Sequence, residues 1–349
     1  MTVLRFVKQL PSAAALLGGL TLSGCATGAV VADRVMAPVL DRALQRQAVA
    51  AEQPVLTLPP AQQQPAPPLA TPAQEAPAPS SAVRWLYGSA EGAASSIQAY
   101  RALIAFAEDS ASDPPDASVP MGLPDAPDSI AAATCLAPGG ARKPLAVVFD
   151  ADETVLLNRG HEYWRSFSGQ PFTPETWAEW ERTGAEQIAP VPGAVTAIRA
   201  LREAGVTPIY NTNRSVETAQ GTVRALAAAG FGDTVVGENL FLRGMDSTGG
   251  RKDARRARIA ERYCVIALVG DNLGDFADAF NEPALGVQER RRMAGRGEYA
   301  QLWGNGWFVL PNPVYGAFDR GTLEEVFPPN ARWQPGVTRT APDIMAEGE

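Results

Sequence analysis

The chain has 349 residues, 46% of them hydrophobic and 19% charged, with a formal net charge of −8 and a single histidine. That length and apolar content suffice for a sizeable buried core, while the acidic balance argues against binding nucleic-acid polymers. Histidine-nucleophile phosphatases, multi-histidine metallophosphatases and a Ser-His-Asp triad are excluded, because they need imidazoles at several points or at a motif that this sequence lacks. His161 lies beside aromatics in NRGHEYW, where packing or a surface position is its expected role.

Arg5 and Lys8 precede an apolar run from Ala13 to Leu22, too short to span a bilayer and flanked as a secretory signal is. Leu22-Ser23-Gly24-Cys25 resembles the lipobox of bacterial lipoproteins. The resemblance implies lipidation at Cys25, a membrane attachment through that lipid and, with Ala26 following, outer-membrane sorting. Residues 1–24 are read as the signal peptide; removing their two basic groups leaves −10 (−8 − 2). Residues 25–82 form an anchor segment and linker, with a short amphipathic helix expected from Val30 to Ala51. From residue 53 on, this segment is dominated by Pro, Ala and Gln and suits an extended tether. The folded domain is expected over 83–335, starting where aromatics return at Val83-Arg84-Trp85, with a loose tail over 336–349.

Within the domain, short apolar runs alternate with helical patterns, the signature of a parallel α/β sheet. LAVVF (145–149) reads as a strand, 193–205 as a helix ended by glycine, 206–211 as a strand and 216–230 as a helix. Strand 239–242, helix 252–263 and strands 264–270 and 307–311 complete the alternation. In such sheets ligands bind at the carboxyl ends of the strands, where the polar clusters fall here. The first strand runs straight into Asp150, Asp152 and Glu153; carboxylates so crowded repel one another and lose hydration, which points to a cationic partner.

Asp150-Ala151-Asp152-Glu153-Thr154 resembles the DxDxT signature of the haloacid dehalogenase superfamily. Thr212-Asn213-Arg214, Lys252 and Gly270-Asp271-Asn272-Leu273-Gly274-Asp275-Phe276 are similar to its remaining motifs, in order. Asp-Glu-Thr-Val-Leu together with GDNLGDF looks like the class C acid phosphatases, the outer-membrane lipoprotein type, over roughly Trp85 to Phe327. Ala151 stands where that family favours Ile or Leu, and Tyr163 falls one residue further from Asn158 than its pattern has it.

The resemblance implies a Rossmann-like parallel sheet with a small, mostly helical cap at about 158–190. It also implies a Mg²⁺-dependent phosphomonoesterase, an acid phosphatase or 5′-nucleotidase acting on small phosphomonoesters such as nucleoside monophosphates or aryl phosphates. Asp150 is the implied nucleophile, forming an aspartyl-phosphate, and Asp152 the acid that protonates the leaving group. Asp150, Asp271 and the backbone carbonyl of Asp152 are the implied Mg²⁺ ligands. Thr212 and Asn213 are expected to bind phosphate at a helix start and Lys252 to bridge nucleophile and phosphate, with Asp275 orienting Lys252 or a metal-bound water.

The aromatics of 163–180 are expected in the main to be core, except that Trp177, with Tyr315, falls where class C enzymes stack a substrate ring. The basic run Arg251 through Arg258 is expected to be a solvated helix face apart from Lys252. Cys135 and Cys264 precede strands that are neighbours in this superfamily's sheet, which leaves a disulfide or two buried thiols as alternatives. A phosphotransferase with the same residues and a non-catalytic surface lipoprotein are the rival functions; the oligomeric state is not legible in the sequence.

Overall fold

The computed structural model describes residues 78–126 and 129–337. The lipobox with Cys25, the helix expected at Val30 to Ala51, the linker up to residue 77 and the tail from residue 338 lie outside the described residues.

Two helices open the domain, α1 (Ser81–Gly88) and α2 (Ala90–Ser112). Ser80 and Ser89 cap them by accepting from the backbone N–H of Val83 and Gly92. In α2, Tyr100, Leu103 and Ala107 recur at helical spacing and form its buried stripe. There follow β1 (Leu145–Phe149), β2 (Leu156–Leu157), α3 (Arg159–Ser168), α4 (Pro174–Thr183) and β3 (Ala189–Pro190). The remainder is α5 (Ala194–Glu203), β4 (Thr207–Ser215), α6 (Ala219–Ala228), β5 (Leu240–Arg243), α7 (Asp253–Arg262), β6 (Cys264–Gly270), α8 (Val287–Gly295) and β7 (Trp307–Val309), with short helical turns between.

Five strands make one sheet in the order β5-β4-β1-β6-β7, every pairing parallel. Alternation along β1 assigns its side chains to two layers. Val147 and Phe149 join a cluster with Tyr100 and Leu103 of α2, Ile198 and Leu201 of α5 and Leu226 of α6. Ala146 and Val148 join a second cluster with Ile259 of α7, Phe276, Phe280 and Trp307. Covered on both faces, β1 and β6 read as unbroken apolar runs, as central parallel strands do. Cys135 and Cys264 form a disulfide that ties the segment before β1 to the start of β6, with Cα atoms 4.6 Å apart.

The strands β2 and β3 pair antiparallel, Leu156 with Pro190 and Leu157 with Ala189, and form a neck from which α3 and α4 extend. His161 is buried in this insertion, its ring edge-on to Trp177 at 4.9 Å and ringed by Trp164, Phe172 and Trp180, so packing is its role here. The aromatic stripe is not mainly core. Tyr163 is 71% exposed and stacks on the exposed Phe167, and Phe172 is exposed as well. A ten-residue helix cannot bury three faces, and α3 turns only His161 and Glu162 fully inward.

Candidate active site

The carboxyl ends of β1, β4 and β6 bring the sequence motifs together. Asp150 follows β1 directly, Thr212 lies within β4, Lys252 precedes α7 and Asp271 follows β6. Carboxylate oxygens of Asp150, Asp271 and Asp275 lie within 4.8 Å of one another. Lys252 Nζ, itself buried, donates to Asp150 Oδ1 at 2.5 Å and to Asp275 Oδ1 at 2.7 Å. Gly270 makes room for this, because a Cβ there would collide with Asp275.

Burial pushes the Asp150 carboxyl up to about 7; the Lys252 ammonium opposes the shift, and Asp275 and Asp152 add to it. Burial likewise holds Asp271 well above the carboxylate range, helped by the charges of Asp275 and Asp150. Lys252 is desolvated too, yet the two acids that it touches more than offset this and hold it firmly protonated. One cation against three carboxylates leaves the cluster short of positive charge.

Asp271 is oriented by Thr154 Oγ1, which donates to Oδ1 at 3.0 Å, and by the side-chain amides of Asn272 and Asn312, which donate to Oδ2 at 2.8 and 2.6 Å. Both oxygens of Asp275 are in use, since Oδ2 accepts from Asn272 N–H at 3.0 Å. Asp275 thus bridges Lys252 and the backbone after Asp271.

Asp152 turns to different partners. Its Oδ1 accepts from Arg214 Nε at 2.9 Å, Arg214 Nη2 at 2.7 Å and Asn158 Nδ2 at 2.9 Å. Glu153, buried beneath it, accepts from Tyr87 Oη at 2.7 Å, from Tyr315 Oη and from both the backbone and side-chain N–H groups of Asn158. Tyr100 Oη donates to the Thr154 carbonyl at 2.5 Å, so α2 pins the same turn.

Several sequence expectations change. Thr212 is wholly buried but does not start a helix; β4 runs on to Ser215 because Thr212 and Ser215 still pair with Leu242 and Arg243 of β5. Thr212 Oγ1 accepts from the N–H of Arg214 at 3.1 Å. Asn213 spends its side chain on structure, donating to the Gly250 carbonyl and accepting from Arg255. The basic run is a solvated face only in part, at the exposed Arg251 and Arg258. Arg255 and Arg256 are fully buried, Arg255 on Asn211 and Asn213, Arg256 on Asp253 and on the carbonyls of Gly122, Gly274 and Asp275.

Tyr315 is half-buried and its hydroxyl donates to Glu153, which fixes the ring's edge and leaves its faces uncommitted. Trp177 sits at the edge of the cap, half-buried, with the Arg214 guanidinium 5.7 Å from its ring centre. Arg214, Asn158, Asn312 and Tyr87 have no role assigned from the sequence, and Glu153 none beyond its crowding with Asp150 and Asp152. Arg214 stands inside the motif Thr212-Asn213-Arg214 and Asn312 lies three residues before Tyr315, whereas nothing local marks Tyr87.

An acid pair at the end of a central parallel strand, a lysine locked on the first acid and a helical insertion between the motifs define a phosphoryl-transfer protein of haloacid dehalogenase type. The chain belongs to the HAD superfamily, subfamily IIIB (acid phosphatase), whose sequence model matches residues 127–318. It is accordingly a phosphoric monoester hydrolase. The fold is similar to that of the class C acid phosphatase from Bacillus anthracis, at 22% identity and a TM-score of 0.52, over 68% of this chain and 84% of that one. A structure of the Bacillus anthracis class C enzyme with tungstate bound is similar at 21% identity and a TM-score of 0.51, over 70% of this chain and 92% of that one.

Proposed function

We propose that the protein is a Mg²⁺-dependent phosphomonoesterase working through an aspartyl-phosphate on Asp150, with nucleoside monophosphates or aryl phosphates as substrates. The observation that carries this is the buried cluster of Asp150 and Asp271 with Lys252 bonded to the first. The donor set fits a hard divalent cation: acidic oxygens only, desolvated, mutually repelling and held by neighbouring amides and hydroxyls. Asp150, Asp271 and the Asp152 carbonyl would hold it. When bound, Mg²⁺ supplies positive charge that keeps the acids ionised and offsets the charge of the substrate phosphate.

The chain's own residues do the rest. Lys252 and the Thr212 segment bind the phosphoryl oxygens, and Asp150 attacks phosphorus in line with the ester oxygen. Asp152 gives its proton to that oxygen as the phosphorus–oxygen bond breaks, releasing the alcohol. The Asp152 carboxylate then takes a proton from the water that attacks the aspartyl-phosphate, which releases inorganic phosphate and restores Asp150. Trp177, beside Arg214 and hence on the leaving-group side, offers an aromatic surface to a base or aryl ring, a contact that tolerates different bases. The lipobox at Cys25 supports a lipid-anchored protein of the cell envelope, sorted to the outer membrane.

The test is phosphate release and acid-quenched labelling of the protein by radiolabelled substrate, with Mg²⁺ and with EDTA. Wild type should turn over only with the cation and trap label, and Asp150→Asn should do neither, at below about one per cent of wild-type turnover with an unchanged circular dichroism spectrum. Label retained in Asp150→Asn would place the nucleophile elsewhere.

A further inference from the structure

Two buried ionic groups are not used by the chemistry above, one on the sheet and one on the cap. Arg214 of β4 is completely buried, and its fork grips Asp152 while Nη2 also donates to Asn158 Oδ1 at 2.9 Å. Asn158 in turn accepts from Trp180 Nε1 of α4 at 2.8 Å. Among the described residues, every hydrogen bond to the Asp152 carboxylate falls on Oδ1, and the side chain keeps 13% exposure. Oδ2 is the oxygen left open. Burying a guanidinium costs several kcal/mol unless its partners are well placed, so a fork aimed at a single oxygen is a costly way merely to fill space.

Glu181, also of α4, is buried beside it. Its Oε2 accepts from Thr218 Oγ1 and from the backbone N–H of Ser215 at 3.3 Å, so the cap helix is fastened to the stretch of chain that carries Arg214. Gly221 allows the approach, because a Cβ there would collide with the Glu181 carbonyl oxygen. Arg214 Nη1 and Glu181 Oε1 are both buried without a hydrogen-bond partner among the described residues, and their opposite charges attract. The cap thus reaches Asp152 by hydrogen bonds through Trp180 and Asn158, and through Glu181 it holds the backbone of Ser215, next to Arg214.

We propose that Arg214 and Glu181 are positioning residues for Asp152, through which docking of the cap governs how well the enzyme expels strongly basic leaving groups, the alkoxides of alkyl phosphomonoesters. The inference rests on Asp152 being the leaving-group acid. With Oδ1 held by three donors, the transferable proton resides on Oδ2. It passes to the departing oxygen as the phosphorus–oxygen bond breaks, and the carboxylate left behind stays paired with Arg214. Rotation of the carboxyl group, which would bury the proton, is opposed by the fork. A nucleoside 5′-monophosphate releases a primary alkoxide and needs this transfer; nitrophenyl phosphate releases a stable anion and scarcely does.

The experiment compares kcat/KM, which reports the steps up to departure of the alcohol and not the hydrolysis of the aspartyl-phosphate common to all substrates, on nitrophenyl phosphate, phenyl phosphate and a nucleoside 5′-monophosphate, using the full-length protein with Mg²⁺. Asp152→Asn sets the scale, with a loss of about 10²–10⁴-fold on the nucleotide and far less on nitrophenyl phosphate. Glu181→Gln and Arg214→Lys should tilt the same way, Glu181→Gln by about tenfold more loss on the nucleotide than on nitrophenyl phosphate. Inhibition by inorganic phosphate, which has no leaving group, should not change in Glu181→Gln. Thr218→Val, which deprives Glu181 of its hydroxyl donor, should tilt in the same direction and Thr218→Ser should restore wild-type behaviour; this pair decides the matter if Glu181→Gln does not fold. Uniform loss across the three substrates in Glu181→Gln and Thr218→Val, with the tilt of Asp152→Asn intact, overturns the proposal and spares the acid role. No tilt in Asp152→Asn removes the acid role itself.

Discussion

Glu153 has φ of 53°, the only positive value outside glycine among the described residues. For a side chain with a Cβ that conformation costs about 1–3 kcal/mol and persists only where the surroundings hold it. Here they do, through Tyr87, Tyr315 and Asn158. Burial pushes the Glu153 carboxyl up to about 7 and the charge of Asp152 adds to this, while those three partners oppose the rise. Tyr87 lies on α1, outside the residues 127–318 that the family model matches, so a segment far ahead of the strand-end acids helps hold the catalytic turn. Tyr87→Phe should therefore cost about 1 kcal/mol of stability in a urea melt and also lower kcat several-fold; a variant equal to wild type in both would show that the turn stands without α1. At this scale the acids were legible because DADET and GDNLGDF combine residue type with spacing. Arg255 and Arg256 were not, because a run of charges looks the same in a solvated face as in a buried one, and what buries them are Asn211, Asn213 and Gly122, far away in the chain.

The start of α7 shows how an element positions a residue. Lys252 is its N-cap, and the unsatisfied N–H groups of Lys252 and Asp253 donate to the two oxygens of Asp278 at 2.8 and 2.9 Å. Asp253 returns the bond by accepting from Asp278 N–H at 3.0 Å, and Arg256 pairs with both acids. The loop after β6 thus caps the helix that presents Lys252 to Asp150. Asp278→Ala should lower stability by about 1–2 kcal/mol and reduce kcat/KM together with it; a lower melting temperature with kcat/KM unchanged would mean that Asp150 and Asp275 alone fix the lysine. The strand and helix alternation was legible from Leu145 onward, since buried parallel strands announce themselves as apolar runs. The extension of β4 through Thr212 to Ser215 was not, because pairing with β5 decides it and TNR carries no strand signal of its own.

For the whole molecule, the proposed anchor is tested by Cys25→Ser, which should abolish partitioning into the detergent phase; a variant that still fractionates with membranes after a high-salt wash is attached by other means. The disulfide has a consequence of a different kind. Joining Cys135 to Cys264, 129 positions apart, removes chain entropy from the unfolded state worth about 5 kcal/mol in the loop-closure account. It also divides the molecule into a covalent ring and two tails. The ring holds Asp150, Asp152, the cap, Thr212 and Lys252; the leading tail brings Tyr87 and Tyr100, and the trailing tail brings Asp271, Asp275, Asn312 and Tyr315. Neither tail has the nucleophile and the ring alone lacks Asp271, so the acid cluster exists only once the last-made part of the chain folds back across the knot of sulfur. A backbone cut anywhere between the two cysteines opens the ring yet leaves every one of these groups on a single covalent molecule.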